Sequence, residues 1–430
     1  MKRTLVTAGL FAGSLTAMFA APLAGAQEVA FWSAPNPAQT QFWEQMAEAY
    51  REVAPEVTVT VTPIPETPSS EAAILASLAG GNSPTISENI FIGFGAQLFN
   101  AEALVPLNTL PGWDELLGAR SMTTAIETWT FPDDNYYILP IYTNAMLFGW
   151  RSDALAEVGL ETPPRTYSEI LEACAAIKEA DPNRFLLARA DLVTNVWWQR
   201  WFDFFTLYDA ASGGAPFITG SEITADDAAA VAVFEFYQQL NEAGCVLTRE
   251  VQTPFETGNS VWSELGPWTF PTWAENYPDL TLGEEFVLTD PPVPDDAPGD
   301  EPVYTFADAK GLVMFAGAPE ESRAAAWEFV QWVYSNPEND LTWFETTSLP
   351  PTRDDVSTNE VFATFLEENP ALVQYAEAIP YAVPPLVNEN FSDIQTVLSD
   401  EGLIPAVNGD KTPEQAWEDA KVAMQALLGE

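Results

Sequence analysis

The order of the hydrophobic segments near the beginning of the chain constrains the fold more than any other feature. A short apolar segment at 28–33 precedes a helical pattern at 40–53, and Val then alternates with Thr at 57–64. A second helical pattern at 71–79 and an apolar segment at 84–92 continue the series. Short strands that alternate with helices are typical of an α/β layered fold, so the sequence predicts that class with a largely parallel sheet.

Helix-start signals mark the second half of the chain. Thr166 with Glu169, and Thr224 with Asp227, have the spacing of capping boxes, although the second uses Asp in place of Glu or Gln. Thr412 is followed by a proline and then by a glutamine at the boxed position, which indicates a C-terminal helix. The same reasoning predicts helices at 167–180 and 319–334, and a solvated, acidic, proline-rich loop at 289–302.

Composition limits the possible functions. The 430 residues include 63 acidic and 16 basic residues and no histidine, for a formal charge of −47, and 47% of them are hydrophobic. That hydrophobic share is too large for a disordered chain, and the charge would repel nucleic acid and anionic membranes. The lack of histidine excludes histidine-based triads, general bases and metal sites. P-loop, EF-hand and G-x-S-x-G motifs are also missing, and we expect no catalytic residue, no metal and no cofactor.

The first 26 residues have the features of a secretory signal peptide. Lys2 and Arg3 precede an apolar run at about 5–21, and Ala24-Gly25-Ala26 forms an A-x-A cleavage site. No cysteine stands directly after this site, so we expect a soluble, secreted or periplasmic product without a lipid anchor. Loss of the two basic residues would take the charge from −47 to −49. We interpret this charge as an adaptation to high salt, with an acidic habitat as the alternative.

The two cysteines, Cys174 and Cys245, have no catalytic motif around them. Cys174 lies on the apolar face of the helix predicted at 167–180, and Cys245 follows a glycine that ends another helix. We expect two buried free thiols. A disulfide in an oxidising compartment is the alternative.

Two further motifs differ in what they predict. Gly93-Phe94-Gly95 begins like a dinucleotide-binding fingerprint, but Leu98 stands where the third glycine is required, so we reject that interpretation. Tryptophans cluster in segments that contain Pro and Gly, where an indole face could stack on a sugar ring, although core packing is the commoner role for any single tryptophan. The clustered residues are Trp197, Trp198, Trp201, Trp262, Trp268 and Trp273.

Four regions of the chain together resemble one known family in their order and spacing. These regions are 84–86 with 104–107, then 139–144 with 147–155, then 255–259 with Gly266-Pro267-Trp268, and last 310–317 with 324–329 and 347–351. With them, the chain resembles the extracellular solute-binding proteins, family 1, of ABC transporters. This group contains the maltose-binding-like sugar receptors.

The resemblance implies a two-lobed, periplasmic binding protein-like α/β fold of type II, with a ligand cleft between lobes joined by chain crossovers. Carried over to this sequence, lobe I comprises 27–143 and 307–350, and lobe II comprises 144–306 and 351–430. It also implies a monomer that binds a carbohydrate, an oligosaccharide or glycoside, without cleaving it. The ligand would then pass to the permease subunits of an ABC importer.

The same resemblance supplies candidate ligand-binding residues. Trp268 corresponds to the family's stacking tryptophan and Asn144 to a polar contact at the first crossover. The remaining candidates come from the loop after the first strand, the end of the next cleft strand, the first tryptophan cluster and the C-terminal cleft segment. In that order they are Asn36, then Glu88 and Asn89, then Trp197 and Trp198, and last Phe391.

Some alternatives stay open at this stage. The strand entry near the third crossover carries Asp308 and Lys310, where the family has small residues. We favour an ion pair between them, and contact of Lys310 with an anionic group of the ligand is the alternative. For the whole protein, the rival functions are a receptor for a cationic ligand such as a polyamine and a glycoside-acting enzyme.

Overall fold

Residues 27–297, 299, 302–384, 386 and 388–429 are described in a computed structural model, and the predicted signal peptide lies outside them. No described helix is long and apolar enough to cross a membrane. The strands are β1 (Gln27–Ser33), β2 (Val57–Pro63), β3 (Ile86–Ile90), β4 (Ile138–Ala145), β5 (Leu147–Arg151), β6 (Leu187–Ala188), β7 (Ile218–Thr219), β8 (Glu222–Ile223), β9 (Val246–Leu247), β10 (Trp262–Leu265), β11 (Phe286–Thr289), β12 (Thr305–Met314) and β13 (Ala382–Val383).

Helices cover and connect these strands, and all are amphipathic or buried segments of modest length. They are α1 (Pro37–Val53), α2 (Ser70–Ala79), α3 (Ile92–Asn100), α4 (Trp113–Arg120), α5 (Ser152–Glu157), α6 (Tyr167–Ala180), α7 (Phe204–Ser212), α8 (Asp227–Glu242), α9 (Phe270–Asn276), α10 (Glu320–Tyr334), α11 (Pro337–Thr347), α12 (Glu360–Glu368), α13 (Pro370–Ala378), α14 (Phe391–Val397), α15 (Ile404–Val407) and α16 (Pro413–Leu428).

The larger sheet confirms the α/β class but is mixed: three of its five described strand pairings are parallel, as predicted, and two are antiparallel, which was not predicted. Its order is β13-β12-β3-β1-β2, with β4 also paired to β12. Strand β1 is parallel to β2 and β3, as consecutive β-α-β units require. Strand β12 is antiparallel to both β3 and β4. Periodicity revealed the local units but not this pairing, because β12 and β4 are far apart in the sequence.

A second sheet begins immediately after the first crossover. Strand β5 follows β4 after Met146 alone, and it pairs antiparallel with β10 and β11. The chain returns to the larger sheet between β11 and β12. Two sheets joined by these crossings form the two-lobed architecture, while the exact residues that bound each lobe stay a prediction.

A buried charge network holds the crossover strand β4 in place. The Arg120 guanidinium donates to the carbonyl oxygens of Pro140 and Ile141 at 2.5 and 2.9 Å. It also pairs with Asp340 of α11 at 3.0 Å, and Arg353 pairs with the same carboxylate at 2.9 Å. The arginine and the aspartate are fully buried, so α4, α11 and β4 are tied together away from water.

The cysteines form a disulfide, so the prediction of free thiols is wrong. Cys174 and Cys245 are both fully buried, and their Cα atoms are 6.0 Å apart, within the usual range for a bridge. The bond joins α6 to the residue that precedes β9. From the sequence a disulfide was only the alternative, because the two residues are 71 positions apart and meet only when α6 packs beside α8.

Two of the three helix-start predictions are confirmed. Thr166 and Glu169 form a complete capping box on α6, and Thr412 accepts the Gln415 N–H at the start of α16. Helix α8 is different, because Asp226 caps it and accepts the N–H groups of the second and third helical residues at 2.9 and 3.1 Å. Because Asp226 directly precedes the helix and caps it, the capping box predicted at Thr224 does not form. In the predicted loop at 289–302, the described residues 291–293 are buried, so the prediction of a solvated loop is wrong there. Val293 pairs with the backbone at the start of α6.

Candidate functional site

A cleft of about 620 Å³ opens between the ends of strands in the larger sheet and a segment at 196–202 that contains the 3-10 helix Trp197–Trp201. One side, here called the polar wall, follows β1, β2 and β3 and consists of Asn36, Gln39, Glu66, Ser69, Ser70, Glu71 and Asn89. The other side, the aromatic wall, consists of Trp197, Trp198, Trp201, Phe202, Trp268 and Phe306. The floor lies between them and consists of Tyr142, Asp308 and Lys310.

Helix caps and strand ends position the polar wall. Asn36 precedes α1, and its Oδ1 accepts the N–H groups of Ala38 and Gln39 at 2.9 and 3.3 Å. Ser69 caps α2 in the same way. Asn89 has a φ of 67°, a left-handed conformation that asparagine tolerates better than most residues. This turn at the end of β3 allows its amide to reach Ser70 at 3.4 Å.

Glu88 lies behind the polar wall, not in it. It is fully buried, and its Oε1 accepts the Ala34 N–H at 2.6 Å. Burial raises the pKa of this carboxyl to about 7, although the Ala34 N–H, the Trp43 indole and the Lys310 ammonium each lower it. Glu88 therefore fixes the loop after β1 from beneath, which makes it a positioning residue for Asn36.

Gln39 belongs to the first turn of α1 and was not singled out from the sequence. It lines the cleft although the residue is only 6% exposed. Within the described part of the chain, its Oε1 is buried and has no hydrogen-bond donor. An unpaired buried acceptor is unfavourable, so this atom is suited to receive a donor from a bound molecule.

The aromatic wall is a set of rings packed at different angles. Trp201 stacks on Phe306 with ring centroids 5.3 Å apart and an 11° angle between the planes. Phe202 meets Trp268 edge to face at 5.8 Å. Trp198 is 39% exposed, which is unusual for so large an apolar side chain and leaves much of its indole available to a ligand.

Buried ion pairs support the aromatic wall from behind. Arg200 and Asp203 are both fully buried and lie 2.8 Å apart. Arg189 pairs with Glu264 at 2.8 Å and approaches Asp203 at 3.7 Å. Burial raises the pKa of Glu264 to about 8, against the lowering influence of Arg189. These contacts tie the segment at 196–202 to β10, which leads directly to Trp268.

The floor contains the predicted ion pair. Lys310 Nζ lies 3.7 Å from Asp308 Oδ1, so the ion pair that we favoured is confirmed. The Tyr142 hydroxyl donates to the other carboxylate oxygen at 3.4 Å, and burial raises the pKa of this tyrosine well above its ordinary value. Both side chains of the pair line the cleft, so the ammonium already has an anionic neighbour inside it.

The sequence matches the family of bacterial extracellular solute-binding proteins over residues 45–373. The chain belongs to this family. Its members act outside the cytoplasm, so the protein is secreted or periplasmic. No curated protein gives a significant match to the sequence.

Solved structures agree with this assignment. An uncharacterized protein from Listeria monocytogenes EGD-e is 43% identical, with a TM-score of 0.79, and the match covers 94% of this solute-binding protein and 100% of that chain. The cyclic alpha-maltosyl-1,6-maltose binding protein of Arthrobacter globiformis is 20% identical, with a TM-score of 0.73 and coverage of 94% and 99%. The GacH receptor of Streptomyces glaucescens GLA.O is 20% identical, with a TM-score of 0.76 and coverage of 94% and 98%. The shared fold is the two-lobed type II fold of periplasmic binding proteins.

The structure of this solute-binding protein brings most of the predicted site residues together. Those that line the cleft are Asn36, Asn89, Trp197, Trp198 and Trp268.

Three predicted site residues do not line the cleft. Glu88 lies beneath it, as described above. Asn144 is fully buried on β4, and neither polar atom of its amide has a partner among the described residues. Phe391 is buried at the start of α14 and packs against Trp197 at 5.3 Å, so it supports the aromatic wall from behind.

Sequence reasoning missed several lining residues. Tyr142 and Phe306 enter the site only because β4 and β12 pair across more than a hundred residues. Trp201 was noted as part of a cluster, but nothing in the sequence indicated that its ring would face the cleft. The position of Gln39, one helical turn after Asn36, was the signal that could have predicted its place in the cleft.

Proposed function

We propose that this protein is the substrate-binding component of an ABC importer, and that it binds an oligosaccharide or glycoside in the cleft and delivers it to membrane permease subunits. The observation that carries the proposal is the opposition of the aromatic wall and the polar wall across one cleft. A sugar ring has apolar C–H faces and a rim of hydroxyl groups. The C–H faces can stack on indole rings, and the hydroxyl groups can form hydrogen bonds with amide and carboxylate groups.

The size of the cleft fits this role. A cavity of about 620 Å³ is within the range of ~300–1,000 Å³ that is common for small-molecule sites. Trp198 and Trp268 offer stacking surfaces from different parts of the chain, while Asn36 and Gln39 offer hydrogen bonds from the opposite wall. Closure of the lobes on a ligand would bring these walls together and remove water from between them.

The descriptions of proteins that share the fold support the proposal of a saccharide ligand. One is named for binding cyclic alpha-maltosyl-1,6-maltose, GacH is described in complex with acarbose, and a Listeria monocytogenes protein is described in complex with cycloalternan. Each is less than 25% identical to this chain, so the particular sugar does not transfer. We propose binding without bond cleavage, and product analysis after long incubation with a bound oligosaccharide tests that part.

Calorimetric titration with a panel of neutral oligosaccharides tests the proposed function. We expect at least one to bind with a 1:1 stoichiometry, and Trp198→Ala to weaken that binding about tenfold because one exposed stacking surface is lost. Trp332→Ala is the control, because Trp332 is a half-buried tryptophan that contacts Tyr50 and does not line the cleft. Equal affinity for the parent and Trp198→Ala would place the sugar elsewhere.

We further propose that the mature protein is a monomer without a lipid anchor and that its acidic surface is an adaptation to high salt. A formal charge of −47 makes surface carboxylates repel one another. The screening length is about 30 Å at ~0.01 M salt and about 3 Å at ~1 M, so we expect the melting temperature to rise into the molar range. A flat response at pH 7 would contradict this proposal, and a stability maximum well below pH 7 at low salt would favour an acidic habitat instead.

A further inference from the structure

We propose that the saccharide bound in this cleft carries a protonated amine, which the carboxylates of the polar wall recognise. The inference rests on the proposed function and specifies the chemical class of the ligand. Three features of the cleft carry it: the balance of charge, an unpaired acceptor and the exposed indole faces.

The charge of the cleft is the first feature. Glu66 is exposed and Glu71 half-buried on the polar wall, and among the described residues neither side chain has a hydrogen-bond or ion-pair partner. Lys310 is the single basic side chain among the described lining residues, and it already lies 3.7 Å from Asp308. Three carboxylates therefore face one ammonium. A cationic group would meet two carboxylates that no protein cation neutralises, whereas an anionic group would be repelled by them.

The unpaired acceptor is the second feature. Gln39 is 94% buried, since only 6% of the residue is exposed, yet it lines the cleft and its Oε1 has no donor within the described part of the chain. A primary ammonium supplies three N–H donors and no acceptor. One of these donors can serve the glutamine oxygen, and the positive charge of the group is attracted to the wall carboxylates. A neutral hydroxyl brings a single donor and no charge.

The aromatic wall is the third feature. A cation is attracted to the face of an indole, and the effect grows as water is removed from around it. The half-buried Trp197 and Trp268 and the exposed Trp198 all line the cleft. Neutral sugar rings also stack on such faces, but an ammonium substituent adds electrostatic attraction. A cation in this cleft would thus be favoured by both walls.

Matched pairs of saccharides test the inference. Each pair consists of a neutral gluco-, galacto- or manno-configured di- or trisaccharide and its counterpart with one free amino group, and a glucosamine disaccharide with its N-acetylated form is included. Calorimetric titrations at pH 6.5 in about 0.05 M salt should give a dissociation constant at least ~tenfold lower for the amine in the best pair. In about 1 M salt the preference should shrink severalfold, because partly exposed charges are then screened.

A charge-neutral variant locates the effect. Glu66→Gln combined with Glu71→Gln should remove most of the amine preference. Glu52→Gln combined with Glu418→Gln is the matched control, because it changes the net charge equally at two exposed helical positions that do not line the cleft. That control should keep the full preference, which separates recognition in the cleft from the general attraction of an acidic protein for cations.

The outcomes separate this inference from the proposed function. If neutral saccharides bind as tightly as their amines or more tightly, the inference is overturned and the proposed function stands. If the preference survives in Glu66→Gln/Glu71→Gln, or disappears equally in the control, the assignment to the polar wall is overturned. If no member of any pair binds, the proposed saccharide receptor itself is contradicted.

Discussion

The two walls of the cleft are built by different means. The polar wall follows parallel strands and is positioned by local features: side-chain caps on α1 and α2, and a left-handed turn near the end of β3. Most of the aromatic wall belongs to the segment at 196–202 and to the short turn that carries Trp268, and buried ion pairs hold these in place. Each cap contributes modestly and independently, whereas a buried ion pair becomes a large liability once one partner is lost.

The largest expected effect concerns the support of the aromatic wall. Arg200→Met should lower the free energy of unfolding by about 3–5 kcal/mol, because Asp203 would remain fully buried without its nearest cation. Urea unfolding measures the change. Arg51→Met is the control, since Arg51 and Glu48 form an exposed pair, and it should cost less than about 1 kcal/mol. A loss below about 1 kcal/mol for Arg200→Met would show that the ion pair does not support this wall.

Glu88 gives the polar wall a pH dependence of its own. Its pKa is about 7 in the folded protein and near the ordinary 4.5 after unfolding. The folded state therefore keeps the Glu88 proton to higher pH than the unfolded state does. The contribution of this group to the free energy of unfolding is fully present below pH 4.5 and is lost as the pH rises through 7. This loss is on the order of 3 kcal/mol.

Glu88→Gln tests this dependence, because it keeps an acceptor for the Ala34 N–H but cannot ionise. Relative to the parent, the variant should gain stability between pH 5 and pH 8, as measured by urea unfolding. Glu52→Gln, at an exposed position of α1, should show no such change. If the stability difference between Glu88→Gln and the parent is the same at both pH values, the buried carboxyl does not titrate as described.

A stacking residue should affect affinity more than stability. Trp268→Ala should weaken saccharide binding at least ~tenfold, or about 1.4 kcal/mol, because one stacking contact contributes ~0.5–1.5 kcal/mol in addition to the buried area. Its indole is half-buried and contacts Phe202, so the free energy of unfolding should change less. Calorimetry and urea unfolding measured on the same preparations compare the two. An unchanged dissociation constant would make Trp268 a packing residue.

The smallest effect separates capping from ligand contact in the polar wall. Asn36→Ala should cost about 1 kcal/mol of stability, since two N–H groups of α1 lose their acceptor. Asn36→Asp should retain the cap but lose the amide donor, so affinity for a neutral saccharide should fall while stability stays near that of the parent. If both variants bind the ligand like the parent, Asn36 serves the helix alone.

The sequence and the resemblance predicted half of the six-residue aromatic wall but only two of the seven residues of the polar wall. Consecutive β-α-β units place the ends of parallel strands at one edge, so Asn36 and Asn89 could be assigned to a common site from local pattern and resemblance. Glu88 directly precedes Asn89 and was assigned to the cleft in the same way, but adjacent residues of a strand point to opposite faces, so Glu88 is buried while Asn89 lines the cleft. Phe306 and Tyr142 depend on long-range antiparallel pairing, which no local pattern reports.

The Cys174–Cys245 disulfide illustrates the same limit. Helix α6 was predicted with its bounds and its cap, yet its partner in the bond lies 71 residues away. Local propensity identifies elements, and tertiary packing decides which of them meet. The proposed stacking role of Trp268 came from resemblance alone, and the charge network behind it, with Arg189 and Glu264, was not anticipated.

Native mass spectrometry of the freshly purified protein tests the central claim, that the two walls enclose a saccharide, most directly. We expect a non-covalent adduct that is released on denaturation and has the mass and fragmentation of an oligosaccharide or glycoside. Trp268→Ala, purified in the same way, should carry little of it, and Trp332→Ala should carry as much as the parent. The account would be contradicted by a non-saccharide adduct, by equal retention in Trp268→Ala, or by a protein that carries no adduct and gains none from an oligosaccharide panel.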